Sequence, residues 1–186
     1  MPIKYTFGAV LATVCLFPVH AGAQSNFSYD FWEVAYASVN TDNNSYTSVE
    51  AAGSMEIQNS HYLTASIKTD ITSGVSANEI GIGIGAYKAS SESTDLYSRA
   101  GVKHGTDSSG SHQTASVGFG ARHQLSDAIQ VEGGIDFLFS NSDETTGVNG
   151  TLNGLYSFSD ATKLGIGMNT NGNKTETRFF ARVKML

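Results

Sequence analysis

Residues 79–87, Glu79-Ile80-Gly81-Ile82-Gly83-Ile84-Gly85-Ala86-Tyr87, decide the fold. Aliphatic side chains alternate strictly with small or polar ones, the period of a strand with one apolar face. The same glycine content would weaken a helix at every turn. Gly81-x-Gly83-x-x-Ala86 partly matches a dinucleotide-binding fingerprint, but that motif needs a strand, a turn and then a helix, and here period two continues through it. The three glycines read instead as small residues that leave room for larger side chains opposite.

The alternation extends in both directions. Trp32, Val34 and Tyr36 oppose Glu33, Ala35 and Ala37; Val49, Ala51, Gly53, Met55 and Ile57 oppose Glu50, Ser54, Glu56 and Gln58. Leu63, Ala65 and Ile67 oppose Thr64, Ser66 and Lys68, and Leu96, Ala100 and Val102 oppose Tyr97, Arg99 and Lys103. Ala115, Val117, Phe119 and Ala121 oppose Ser116, Gly118, Gly120 and Arg122. Ile129, Val131, Ile135, Phe137 and Phe139 oppose Gln130, Glu132 and Asp136. Val148, Leu152 and Tyr156 mark an eighth strand whose pattern is broken by Leu155 on the polar face. Leu164, Ile166 and Met168 face away from Lys163, Gly165 and Gly167, and Phe179, Ala181, Val183 and Met185 from Arg178, Arg182 and Lys184. About ten strands result, with eight the alternative if the weakest pattern fails.

The two faces select the solvent. Apolar faces carry no charge, whereas the opposite faces hold Glu33, Glu50, Glu56, Lys68, Glu79, Arg99, Lys103, Arg122, Glu132, Asp136, Lys163, Arg178, Arg182 and Lys184. A transmembrane up-and-down β-barrel has this arrangement, apolar outward and polar inward, because a lipid-facing charge costs about 2–4 kcal/mol at the bilayer centre. An open sheet edge in hydrocarbon would leave backbone groups without partners, so closure is required. Trp32, Tyr36, Phe119, Phe137, Phe139, Tyr156 and Phe179 are then lipid-facing aromatics. A soluble exported β protein is the competing reading.

The rest of the sequence fits this class. Of 186 residues only 15% are charged, and the net charge of -6 argues against nucleic acid, which demands clustered Lys and Arg. Lys4, the apolar run from Phe7 to Val19 and the small residues Ala21-Gly22-Ala23 have the three parts of a secretory signal. The expected division is a signal peptide at 1–23 and a barrel at 24–186, starting at Gln24. The apolar run is shorter than the roughly 20 residues of a membrane-spanning helix. Cys15 and both prolines fall inside the signal, and Val14 before Cys15 argues against lipidation. Proline, which removes a ladder hydrogen bond, is then absent from every strand.

Polar clusters between strands set an orientation. Short links at Asn59-Ser60, Ala89 to Ser93, Leu125 to Ala128 and Phe158 to Ala161 are expected in the periplasm. Longer ones at Thr41 to Tyr46, Asp70 to Asn78, His104 to Gln113, Ser140 to Gly147 and Asn169 to Glu176 are expected outside, with both termini periplasmic.

With its signal, its Tyr29 to Tyr36 opening strand, its Gly-plus-aromatic strands and the Gly118-Phe119-Gly120-Ala121-Arg122 to Leu125-Ser126-Asp127 hairpin, the chain resembles small bacterial outer-membrane β-barrel proteins. Within them it is similar to the short exported barrels once proposed as quorum-signal or immunity-triggering factors. The resemblance implies outer-membrane lipids, lipopolysaccharide, the barrel-assembly machinery and periplasmic chaperones as partners. Such barrels usually end in an aromatic residue that the machinery reads; this chain ends in Met185-Leu186.

Enzymatic readings are thin. His104 and His112 flank Asp107, Ser108, Ser109 and Ser111, a composable Ser-His-Asp set without a nucleophile elbow. His61 and His123 add no ligand spacing. Asn169, Asn171 and Asn173 faintly resemble a calcium loop, but no carboxylate closes it. Asp143 and Glu144 are candidates for bridging divalent ions to lipid headgroups. The expectation is a non-enzymatic protein without cofactor or resident metal. Its inward charges must be paired or wet in a narrow lumen. Closure brings the last strand beside the first, so Arg182 or Lys184 is expected to pair with Glu33. The favoured reading is a salt-bridge plug with a structural or surface-interaction role; the alternative is a narrow pore for ions or small solutes.

Overall fold

The computed structural model describes residues 25–42, 44–58, 60–72, 77–107, 110–141, 147–172 and 174–185. Ten strands, β1 (Phe31–Thr41), β2 (Ser45–Gln58), β3 (His61–Asp70), β4 (Asn78–Ser91), β5 (Thr94–Asp107), β6 (Gly110–Ser126), β7 (Ile129–Ser140), β8 (Gly147–Ser157), β9 (Thr162–Asn171) and β10 (Lys174–Lys184), form one closed barrel. Each strand is antiparallel to its neighbours, and β1 closes on β10 from Phe31 opposite Lys184 to Thr41 opposite Lys174. The ten-strand expectation holds, including the poorly patterned eighth strand. Closure removes every sheet edge.

Leu155 explains why that strand was hard to read. Val148, Leu152 and Tyr156 are exposed on the outer surface, while Leu155 points inward and is buried against Ala35 and Phe180. The lumen accepts an apolar side chain wherever two others cover it, so a polar face is not polar at every position.

The outer surface is an apolar belt. Trp32, Tyr36, Phe119, Phe137, Phe139, Tyr156 and Phe179 all lie exposed on it with Ile80, Ile82 and Ile166. The inward residues between them on β1, Glu33, Ala35, Ala37 and Val39, are buried.

Two expectations about connections are corrected. The residues between His104 and Gln113 and between Asn169 and Glu176 are mostly strand: β5 and β6 are joined by 108–109, β9 and β10 by 172–173. The ladder pairs Thr106 with Ser111 and Thr175 with Thr170. Backbone hydrogen bonding does not depend on side-chain polarity, so polar residues mark where the apolar belt stops and not where the strand stops. The first connection also shortens, to 42–44, leaving 71–77 and 141–146 as the long links of that end. At the other end, where Ser25 and Met185 lie, the links are 59–60, 92–93, 127–128 and 158–161. The opening strand is corrected too: β1 begins at Phe31, and Tyr29 lies fully buried ahead of it.

Bulky inward side chains lie on glycines of neighbouring strands. A Cβ on Gly165 would overlap the Phe180 ring, one on Gly85 the Tyr62 ring, and one on Gly118 the Asp136 carboxylate. Gly120 and Gly134 lie beneath Tyr97. Gly165→Ala should therefore push Phe180 off its seat and lower stability by about 1–3 kcal/mol, the usual cost of overpacking. Gly154→Ala, whose added Cβ meets nothing within 4 Å, should be silent. Urea unfolding in detergent, followed by heat-modifiable gel mobility, compares the two.

Candidate functional site

The interior is the site, because period two sends nearly all the ionisable side chains there. At the terminal end, residues Ser25–Asp30 form a strap across the mouth. Asn26 Nδ2 donates to the Glu92 carbonyl at 2.8 Å in the β4–β5 turn, four places round the barrel from β1. The strap then crosses to β1, where Asp30 Oδ1 accepts from the Glu56 amide at 2.6 Å and the Asp30 carbonyl from Met185 N at 3.0 Å. Tyr29 stacks on Tyr87 with ring centroids 3.8 Å apart and tilts against Tyr62 at 4.9 Å. The Arg122 guanidinium covers the Tyr29 ring at 4.1 Å and donates to the Ser28 carbonyl at 3.2 Å. Burial holds the Tyr29 phenol above its ordinary pKa, so its hydroxyl stays a neutral donor.

Above the strap runs a continuous ion-pair chain. Arg182 Nε donates to Glu33 Oε2 at 2.9 Å, while its Nη1 and Nη2 take the Glu132 carboxylate at 2.6 and 3.1 Å. Arg122 reaches the same Glu132 at 3.1 Å, and Arg178 pairs with the other oxygen of Glu33 and stands 3.9 Å from Glu50. Glu132 lies on β7, three strands from β10, so Arg182 ties together walls that no hydrogen-bond ladder joins. Lys68 of β3 makes a comparable tie to Glu176 of β10. All these side chains are largely buried, where an ion pair needs several hydrogen bonds to offset desolvation, and the forked guanidinium supplies them.

The β5 side is looser. Arg99 grips Asp136 with two nitrogens, and Lys103 meets Glu79 at 2.8 Å. The Arg99 and Lys103 side chains remain 40% and 47% exposed. The wall beside them is built from Gly81, Gly83, Gly101 and Ser116, which cannot fill the space.

The remaining candidates occupy the ends. Lys163 donates to Gln130 Oε1 at 2.5 Å; Glu56 accepts from the Tyr87 hydroxyl at 2.7 Å; Lys184 lines a cavity of about 370 Å³ beside the strap with Lys163 and Arg182. Of the two bases considered for Glu33, Arg182 is the one that touches it. Four participants were not singled out from the sequence: Glu176, hidden in a polar segment read as a link, Asp95, just ahead of the alternation read from Leu96, Tyr29, which precedes the first strand, and Phe180. Parity would have placed Phe180 among the charges, since it lies between Arg178 and Arg182 on their side of β10.

The two histidines of the serine set face opposite ways. His104 faces outward, and His112 lies inward over Gly105 of the neighbouring strand. The serine set rests partly on Ser108 and Ser109, and the divalent reading on Asp143 and Glu144; all four lie outside the described residues, as does Asn173. Asn169 is a strand residue whose amide donates to Glu176 at 3.3 Å. Gly81, Gly83 and Ala86 sit within β4, with no helix following.

No family model matches the chain, and no curated protein matches it. Solved structures do. The NanC porin aligns at TM-score 0.59 with 8% identity over 83% of this chain and 100% of its own. The KdgM porin in complex with disordered oligogalacturonate aligns at 0.52 with 11% identity over 83% and 99%. At such identities the likeness is one of fold. The fold is that of bacterial outer-membrane β-barrels, and the apolar belt lies on the face that such a barrel turns to lipid.

Arg182→Met should cost about 3–5 kcal/mol, the loss expected when one member of a buried ion pair is removed. Lys103→Met, at a half-exposed pair, should cost no more than about 1 kcal/mol. Urea midpoints of the refolded variants measure both.

Proposed function

We propose that residues 24–186 form a non-enzymatic outer-membrane barrel, both termini in the periplasm, whose lumen is closed by its own side chains. Its work is then done at the surface: the belt meets outer-membrane lipids, and the far-end links, with lipopolysaccharide around them, meet the outside. Export by the signal at 1–23, passage with periplasmic chaperones and insertion by the barrel-assembly machinery belong to this reading. So does a surface role like that suggested for the short exported barrels the sequence resembles.

The observation that carries it is the Glu33–Arg182–Glu132–Arg122 chain, set directly above the aromatic strap. A ten-stranded barrel leaves little bore once its inward side chains are in place. Here those side chains neutralise one another across the lumen and do not present one sign of charge to a solute.

A second reading, a narrow porin-like channel, draws on the exposure of Arg99 and Lys103 beside the small-residue wall. One porin of similar fold is solved with oligogalacturonate, a polyanion, and exposed lumen cations are the groups that would attract an anionic solute here.

Single-channel recording of refolded protein in a planar bilayer tests the choice, with heat-modifiable mobility certifying the fold. The closed-lumen reading expects no steps. Reproducible steps whose anion preference reverses in Lys103→Glu would replace it with the channel.

A further inference from the structure

The apolar belt is not smooth over β1–β6. One cross-strand row, Trp32–Gly53–Ala65–Ile82–Val102–Ala115, crosses it, with a second, Met55–Leu63–Ile84–Ala100, nearer the terminal end. Together they line a groove of about 640 Å³ with no charged residue in its wall. From Ala100 a recessed track continues toward the terminal end. Ala86, Ser98 and Ala100 belong to the outward set of β4 and β5, yet they are only 4%, 7% and 4% exposed. Ile84 and Val117 pack against the two alanines, and the Ser98 hydroxyl has no hydrogen-bond partner among the described residues. Lys88, two residues beyond Ala86 on the same face of β4, is exposed and makes no hydrogen bond or ion pair among the described residues. Ile82 in the groove is six residues from Lys88. That is about 20 Å of strand, and a tilt of about 40° turns it into about 15 Å of depth, half the hydrocarbon core. With Lys88 at the headgroups, the groove therefore ends near the middle of the membrane.

A groove in hydrocarbon is filled by a second protein or by lipid. Two copies of the barrel sharing this face in one membrane would bring two Lys88 side chains to the same depth, a like-charge contact. A phosphate brings the opposite charge and accepts from the ammonium group. We propose that the track and groove bind one glycerophospholipid of the leaflet at the terminal end. Lys88 holds its phosphate, Ser98 donates to an ester carbonyl, and an acyl chain runs over Ala100 into the groove. Lys88 stands opposite Leu96, so Ser98 is its diagonal neighbour, about 7–8 Å away, a stretch that the glycerol between phosphate and ester covers. The ester oxygen also supplies the acceptor that a hydroxyl buried at the edge of the belt otherwise lacks. The inference deepens the reading in which the belt meets outer-membrane lipids, and rests on it. It is independent of whether the lumen conducts.

The test is lipid retention by refolded protein in native mass spectrometry, with heat-modifiable mobility certifying the fold of each variant. Phosphatidylglycerol should stay bound as a single adduct. Diacylglycerol with the same chains lacks the phosphate and should need about tenfold more lipid for half occupancy, the worth of one charge-assisted hydrogen bond. Lys88→Gln should bring phosphatidylglycerol down to the diacylglycerol level. Ala100→Leu, which fills the track and keeps the cation, should weaken both lipids, and Lys174→Gln at the far end should change neither. Equal occupancy in the unaltered protein, Lys88→Gln and Ala100→Leu overturns the proposal, as do lipid-free dimers. A chain that inserts into no vesicle defeats the membrane reading and this site with it, whereas an inserted barrel with equal occupancy defeats the site alone.

Discussion

Arg182 holds carboxylates from both sides of the barrel, Glu33 on the adjoining β1 and Glu132 on β7, three strands away round the wall. Ladder hydrogen bonds fix each strand only to its neighbours. What fills the lumen and keeps it from collapsing or flooding must come from side chains that cross it. Because every strand alternates, the charges excluded from the lipid face are delivered to this interior, and their mutual neutralisation is the condition under which the interior can be dry. The Lys68–Glu176 tie repeats the device nearer the far end, and at the terminal end Tyr29 of the strap stacks on Tyr87.

Glycine makes this crowding possible. The ring ends of Phe180, Tyr62 and Tyr97 lie over Gly165, Gly85 and Gly120, so large rings and long guanidinium groups fit inside a bore set by only ten strands. Where small residues face small residues, beside Arg99 and Lys103, the packing loosens and the charges stay wet. One strand set therefore contains both a packed and a hydrated sector. The balance between them separates a closed barrel from a narrow channel.

Period two was enough to read the fold, because a membrane barrel is the one architecture in which alternation, closure and the exclusion of charge from one face are all forced together. Glu33 and Arg182 were legible as a pair for the same reason: closure makes first and last strands neighbours whatever else the barrel does. The Arg182–Glu132 tie was not, since a contact across three strands depends on side-chain reach and bore, which no local pattern encodes. Polar segments misled in one consistent way. The stretches around His104–Gln113 and Asn169–Glu176 lack apolar alternation yet remain strand, because the ladder continues past the apolar belt. Glu176 was lost with them. The strap was invisible because Tyr29 acts by turning back into the barrel ahead of the first strand.

The likeness to the NanC and KdgM porins concerns the barrel and leaves the state of the lumen to the side chains of this sequence. Chemical access to the lumen tests that state most directly, and the chain from residue 24 onward has no cysteine to interfere, Cys15 preceding it. Ala35 sits inward against Leu155 and Phe180 at the middle of the closure. In the folded A35C variant, a small charged thiosulfonate added to reconstituted vesicles should fail to react until the barrel is unfolded. Labelling of A35C in the folded state as fast as a cysteine placed in the 71–77 link would contradict a closed lumen.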